Sequence, residues 1–250
     1  MKIEGGVCGG AQVDVVSHDR SNERVVLLAL TGGVCSGKTE TCPWLETKML
    51  DFGWHAYHVP EAARFLIEKF GLPVKVAWQN EDMRLWLRCQ EVIAECQYAW
   101  EEQRIQIANM IGKFPALVPC DRGLVDIYGY ILSACHAFGD PREAFDMFTD
   151  VLRRATLRTP REAYRRYVAV VHMVTAADGA PHAYQREDGG ARDETLEQAI
   201  ALDRTILEAW AGHPQRITID NSTGFKEKQE RTLRVICGAL GILAPSASDQ

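Results

Sequence analysis

The chain has no pair of cysteines spaced as Cys-x-x-Cys, although it carries 8 cysteines (Cys8, Cys35, Cys42, Cys89, Cys96, Cys120, Cys135 and Cys237). Scattered in this way they argue against a zinc ribbon or a disulfide framework. Several fall in apolar helical patterns, so they read as reduced thiols, mostly filling a core. No apolar stretch approaches the roughly 18 residues of a membrane-spanning helix, and the opening residues lack the basic-then-apolar layout of a secretory signal. Positive charge is in deficit: 28 Lys and Arg against 34 Asp and Glu give a formal net charge of −6. General affinity for nucleic acid or for an acidic membrane is therefore not expected. These absences predict a soluble, intracellular protein of the cytoplasm. There is no internal repeat. What remains is a chain of 250 residues, 46% hydrophobic, enough for one large domain with a sizeable core.

Residues 1–23, with Gly5-Gly6, Gly9-Gly10 and a polar run from Ser17 to Glu23, show no sustained period and read as a loose tail. The domain is expected over 24–242, with a second polar tail over 243–250. Apolar runs predict strands near 24–30, 54–59, 116–120, 167–175 and 215–220. Helical spacing predicts helices near 38–52, 61–70, 81–112, 141–154, 160–166, 194–211 and 225–240, with one more after Gly123. Gly53 and Gly71 stand where C-caps belong, and Asn80 where an N-cap would open the long helix. Strands alternating with helices make an α/β fold, a parallel sheet covered on both faces.

The first strand runs into Gly32-Gly33-Val34-Cys35-Ser36-Gly37-Lys38-Thr39, a GxxxxGK[ST] phosphate-binding loop. Its glycines let successive backbone N–H groups turn inward toward phosphate oxygens, and the helix that follows adds its positive end. The reading is a P-loop NTPase domain that binds a nucleoside triphosphate, ATP or GTP, through residues 32–39 and Glu40. Lys38 is expected on the β- and γ-phosphates and Thr39 on Mg²⁺, a hard cation that takes oxygen ligands. No Asn-Lys-x-Asp element of guanine-specific GTPases is present, so the base stays open. Cys35 is a small tolerated residue in the loop or an oxidation-sensitive one.

In such a sheet, ligands gather at the carboxyl ends of the strands. Glu61 and Arg64 follow the second strand, where Glu61 would accept a substrate proton; the plainer alternative is a carboxylate at a helix start. Asp121 and Arg122 follow the third, placed for a Mg²⁺-holding acid and a phosphate clamp, or for an ordinary helix cap. Asp126 reads as helix surface. Arg186 and Arg192 lie in or beside the polar connection of about 177–193, which would close over nucleotide and bring positive charge to the transferring group. Asn221 follows the fifth strand and is a candidate for the base pocket. Arg153, Arg154, Arg158, Arg161, Arg165 and Arg166 stand against a single acid, Glu162, and form either a site for a phosphorylated substrate or anionic lipid headgroup, or a solvated face. His55 and His58, three apart on a predicted strand, face opposite sides, and His172, His182 and His213 show no ligand spacing.

Several segments together resemble one family: the phosphate loop from Leu30 to Thr39, Val59 to Arg64, Cys120 to Asp126, Val170 to Ala177, Trp210 to Pro214 and Ile219 to Thr223. They are similar to the AAA-type P-loop domain shared by the ribosylnicotinamide kinase part of NadR and by the TRPL translocation defect proteins, over about residues 25–242. The resemblance implies a three-layer, nucleoside- or thymidylate-kinase-like fold, strand order 2-3-1-4-5, with a mobile lid. It implies either a kinase for a nucleoside-like small molecule or a GTP- and lipid-binding factor in membrane protein trafficking.

Overall fold

The computed structural model describes residues 24–185 and 194–242. Five strands, β1 (Val25–Thr31), β2 (His55–Ala56), β3 (Ala116–Asp121), β4 (Tyr167–Met173) and β5 (Arg216–Ile219), form one sheet of order β2-β3-β1-β4-β5. Every pairing is parallel, and the order is the expected 2-3-1-4-5. The helices are α1 (Lys38–Lys48), α2 (Ala62–Phe70), α3 (Val74–Gln79), α4 (Met83–Ile111), α5 (Asp126–Phe138), α6 (Ala144–Thr156), α7 (Pro160–Arg165), α8 (Leu196–Ala209) and α9 (Phe225–Leu240).

The central strand β1 shows why the strands are apolar throughout. Leu27 and Ala29 point into one core with Ile93, Ile131, Phe148 and Ile206 from α4, α5, α6 and α8. Leu28 and Leu30 point into a second with Leu45 of α1 and Ile236 of α9. A strand that alternates between two cores has no solvated face to carry polar residues.

The proline in β3 fits because of what lies beside it. Residues 117 and 119 face the edge strand, where Tyr57 N–H donates to Leu117 O at 2.9 Å and Val59 N–H to Pro119 O at 2.9 Å. In a parallel ladder a residue's N–H and C=O point to the same neighbour, so the N–H that Pro119 lacks would aim at β2 beyond Ala56, where regular pairing has already ended. Toward β1, β3 loses nothing. The expected second strand is thus shorter than 54–59, with an isolated bridge from Val59 to Cys120.

Other elements follow their local signals. Gly53 and Gly71 take left-handed C-cap positions with φ of 73° and 67°. The long helix is capped by Asp82, whose side chain accepts from Leu85 N–H at 2.9 Å, rather than by Asn80. α3 has no counterpart among the expected helices; it is a single short turn-and-a-half behind Pro73. The first helix ends at Lys48 and continues as a 3₁₀ turn over Met49–Phe52.

Candidate functional site

The loop that leaves β1 is shaped by its glycines. Gly32 has φ of +130°, and a Cβ there would sit 2.0 Å from Met173 O. Gly37 has φ of +90°, its Cβ position filled by the Phe225 ring at 2.3 Å. Between them the chain curls around the ammonium of Lys38, which donates to Gly32 O (3.0 Å), Gly33 O (2.9 Å) and Ser36 Oγ (2.9 Å). Burial, and next the Arg122 charge, pull the Lys38 pKa below its ordinary value. An ammonium so held sits where phosphate charge would meet it.

β3 delivers the next groups. Asp121 is buried, and its Oδ2 accepts from Thr39 Oγ1 at 2.7 Å, while its Oδ1 is buried without a partner. Burial and the nearby Glu61 carboxylate push the Asp121 pKa up to about 6. A hydroxyl and a carboxylate side by side, with one carboxylate oxygen unclaimed, are the hard oxygen donors that a divalent cation takes alongside phosphate and water. Among the described residues there is no group of three or more His, Cys, Asp or Glu placed to hold a metal ion, so a cation here would share its coordination with a ligand.

Arg122 has φ of +79°, which turns its side chain back across the strand ends. Nε donates to Glu61 Oε1 at 2.6 Å and Nη1 to Gly32 O at 2.9 Å. The guanidinium also lies 5.2 Å from the Tyr130 ring centre. Burial alone would raise the Glu61 pKa, but Arg122 and Lys38 outweigh it and hold the carboxyl below its ordinary value. The two carboxylates are thus driven apart: Glu61 toward ionised, Asp121 toward protonated.

The structure corrects the reading of Asp126. It is buried at 1% exposure, accepting from Thr31 Oγ1 at 2.6 Å and Trp210 Nε1 at 2.5 Å, with Arg122 Nη1 at 3.5 Å. The helix does expose one face, but Asp126 sits in the first turn of the opposite one, beneath the loop. A second buried carboxylate, Asp203 of α8, accepts from the Gly33 N–H and from His172 Nε2, the latter at 3.0 Å. His172 lies wholly inside β4. Sequence reasoning passed over Asp203 and weighed His172 only for metal-ligand spacing, although a histidine inside an otherwise apolar strand was a usable signal.

Asn221 stays close to the loop, but its amide is spent on the fold. Nδ2 donates to Thr175 O (2.7 Å) and Asp178 O (2.6 Å), and Oδ1 accepts from Lys228 Nζ (2.7 Å). Arg186 and Arg192 lie outside the described residues. Arg64 bonds Glu68 at 2.7 Å, and Glu40 is exposed in the first turn of α1. Of the arginine cluster, Arg154 meets Glu91, Arg158 meets Tyr98, and Arg166 meets Glu101 and Glu102. Arg153, Arg161 and Arg165 are exposed, as are Arg154 and Arg158. His58 bonds Glu46 at 2.8 Å.

Residues 34–40, Glu61, Arg122 and Lys228 border one cavity of about 1210 Å³. A parallel sheet of this order, with a glycine loop curled around its lysine and a carboxylate fixed to its threonine, defines a P-loop nucleotide-binding protein. A family model described as an AAA domain matches residues 27–228; the chain belongs to that family. No curated protein matches the chain. No helix among the described residues is long and apolar enough to cross a membrane.

Proposed function

We propose that the protein is a Mg²⁺-dependent phosphotransferase whose acceptor is a nucleoside-like small molecule. The observation that carries this is the placement of Glu61. Its carboxylate, held at 2.6 Å by Arg122, borders the same cavity as the phosphate loop, and that cavity is lined as well by Trp78, Trp86 and Gln90 of α3 and α4.

In this reading Lys38 draws off charge from the β- and γ-phosphates, while Thr39 and Asp121 would hold the cation. Mg²⁺ bound there supplies neutralisation of the phosphate oxygens. The acceptor hydroxyl oxygen attacks the γ-phosphorus, the bond to the bridging oxygen breaks, and the nucleoside diphosphate leaves. The hydroxyl proton passes to Glu61. Arg122 fixes the Glu61 carboxylate, so that orientation is settled before the acceptor arrives.

The test is to incubate wild type, Lys38→Ala and Asp121→Asn with γ-labelled ATP or GTP, Mg²⁺ and a nucleoside panel, and to follow the label. Label on a nucleoside, reduced on the order of 10²–10³-fold in each variant, is the expected result. Label released only as inorganic phosphate, whatever nucleoside is present, would overturn the reading in favour of a regulatory nucleotide-binding module.

A further inference from the structure

The molecule buries one carboxylate that the proposed chemistry does not use. Glu101 of α4 is 0% exposed, and a buried charge is costly unless it is fully partnered. Its partners lead to one place. Oε1 accepts from Tyr167 Oη at 2.7 Å and from Gln97 Nε2 at 2.9 Å, and Oε2 accepts from Arg166 Nε at 3.0 Å. The Tyr167 hydroxyl in turn accepts from Leu124 N–H at 2.8 Å, and the Gln97 amide also donates to Arg122 O at 3.1 Å. Two arms thus run from Glu101 to backbone atoms on either side of Gly123, in the turn that leaves β3. Gly123 itself lies against the same tyrosine: a Cβ there would sit 3.0 Å from Tyr167 Cζ and 2.9 Å from Trp210 Cζ2.

That turn holds the one backbone conformation on which the guanidinium of the site depends. Arg122, with φ of +79°, stands in the left-handed region, which a residue with a Cβ adopts at a cost and keeps only where its surroundings impose it. On the strand side its N–H donates to Leu30 O at 2.9 Å. On the far side Gln97 takes its carbonyl and Tyr167 takes the Leu124 N–H. With the backbone so turned, Nε reaches Glu61 Oε1 at 2.6 Å and Nη1 reaches Gly32 O at 2.9 Å. We infer that Glu101, acting through Gln97 and Tyr167, is a positioning residue of the phosphate site: it holds the turn after β3 in the conformation that aims Arg122 at Glu61 and Gly32. Arg122 is then fixed from both ends by carboxylates, Glu61 on its side chain and Glu101 behind its backbone. The consequence for phosphoryl transfer rests on the phosphotransferase reading; the hold on Arg122 rests on the geometry of the turn.

The test uses Tyr167→Phe and Gln97→Leu in the full chain, each of which cuts one arm and leaves Glu101 its other donors. Hydrogen exchange, read by NMR, follows the Arg122 Nε–H that is given to Glu61. The backbone amides of β1, the central strand, report global opening in the same spectra. The Arg122 proton is expected to exchange about tenfold or more faster in each variant, while the β1 amides change by less than about twofold. Equal acceleration of both would mean a loss of global stability only, and no acceleration would mean that the arms are idle; either overturns the inference. On the same variants kcat for label transfer should fall on the order of tenfold, with KM for the triphosphate unchanged. Transfer at the wild-type kcat in both variants overturns the inference as well. If the wild type itself transfers no label, the phosphotransferase reading fails and the exchange result alone decides the inference; label transfer with unaltered exchange sinks the inference and leaves that reading standing.

Discussion

Gly32 is where the phosphate loop is least forgiving. Its φ of +130° is closed to L side chains, and an added Cβ would meet Met173 O at 2.0 Å, while its own carbonyl takes both Lys38 and Arg122. Gly32→Ala should therefore cost about 2–4 kcal/mol in urea unfolding and abolish triphosphate binding. Gly53→Ala is the control: its φ of +73° is also left-handed, but nothing lies within 4 Å of its Cβ position, so the loss should be near 1 kcal/mol with binding intact. Equal losses at the two glycines would show that close approach to β4 does not matter. The loop itself was legible in sequence because its residue types are dictated by phosphate geometry. The neighbours that hold it were not. Asp126 and Asp203 look like ordinary helix-surface carboxylates, and only the packing of α5 and α8 under the loop buries them against Thr31, Trp210, Gly33 and His172.

Elements were legible where their ends carry chemical signals and illegible where only tertiary contact defines them. The closing helix, α9, spans Phe225–Leu240 as expected from its period, whereas α3 is too short to show one and β2 is set by its pairing with β3. At this scale α8 acts as a clasp, because Asp203 fastens it to Gly33 and to His172 of β4. Asp203→Ala would strand a buried N–H and an imidazole, and should cost about 2–4 kcal/mol of stability with weaker triphosphate binding. A change below about 0.5 kcal/mol would mean the clasp is idle. A second clasp joins α9 to β4, where Lys228 donates to Val174 O at 2.7 Å and to Asn221 Oδ1 at 2.7 Å. Burial pulls the Lys228 pKa down to about 8. For a base whose folded pKa is depressed, the unfolded chain binds more protons between about 8 and 10.5, so this group's contribution to stability rises with pH across that window. Relative to Lys228→Met, the wild type should gain about 2 kcal/mol between pH 8 and pH 10, measured by chemical denaturation at each pH. A constant difference between the two proteins would place an ordinary lysine there.

For the molecule as a whole, the decisive feature is that one cavity serves both sides of the phosphate loop. Phe225 and Lys228 of α9 line one part of it and Trp86 and Gln90 of α4 another, with Lys38 and Glu61 also on its wall. If the phosphoryl group passes between two guests in that cavity, a single compound joining a nucleoside triphosphate to an acceptor nucleoside through its phosphates should occupy both parts at once. Linking the guests makes the second contact intramolecular, so its affinity should exceed that of the triphosphate by 10²-fold or more. Ligand that binds only the folded state stabilises it by mass action, about 2.7 kcal/mol at a hundred times Kd. The linked compound at the same concentration as the triphosphate should therefore add roughly another 2.7 kcal/mol, several degrees in Tm for a domain of this size. A linked compound that stabilises no more than the triphosphate would mean the second part does not take the nucleoside end, and that the two parts of the cavity are neighbours rather than one reaction site.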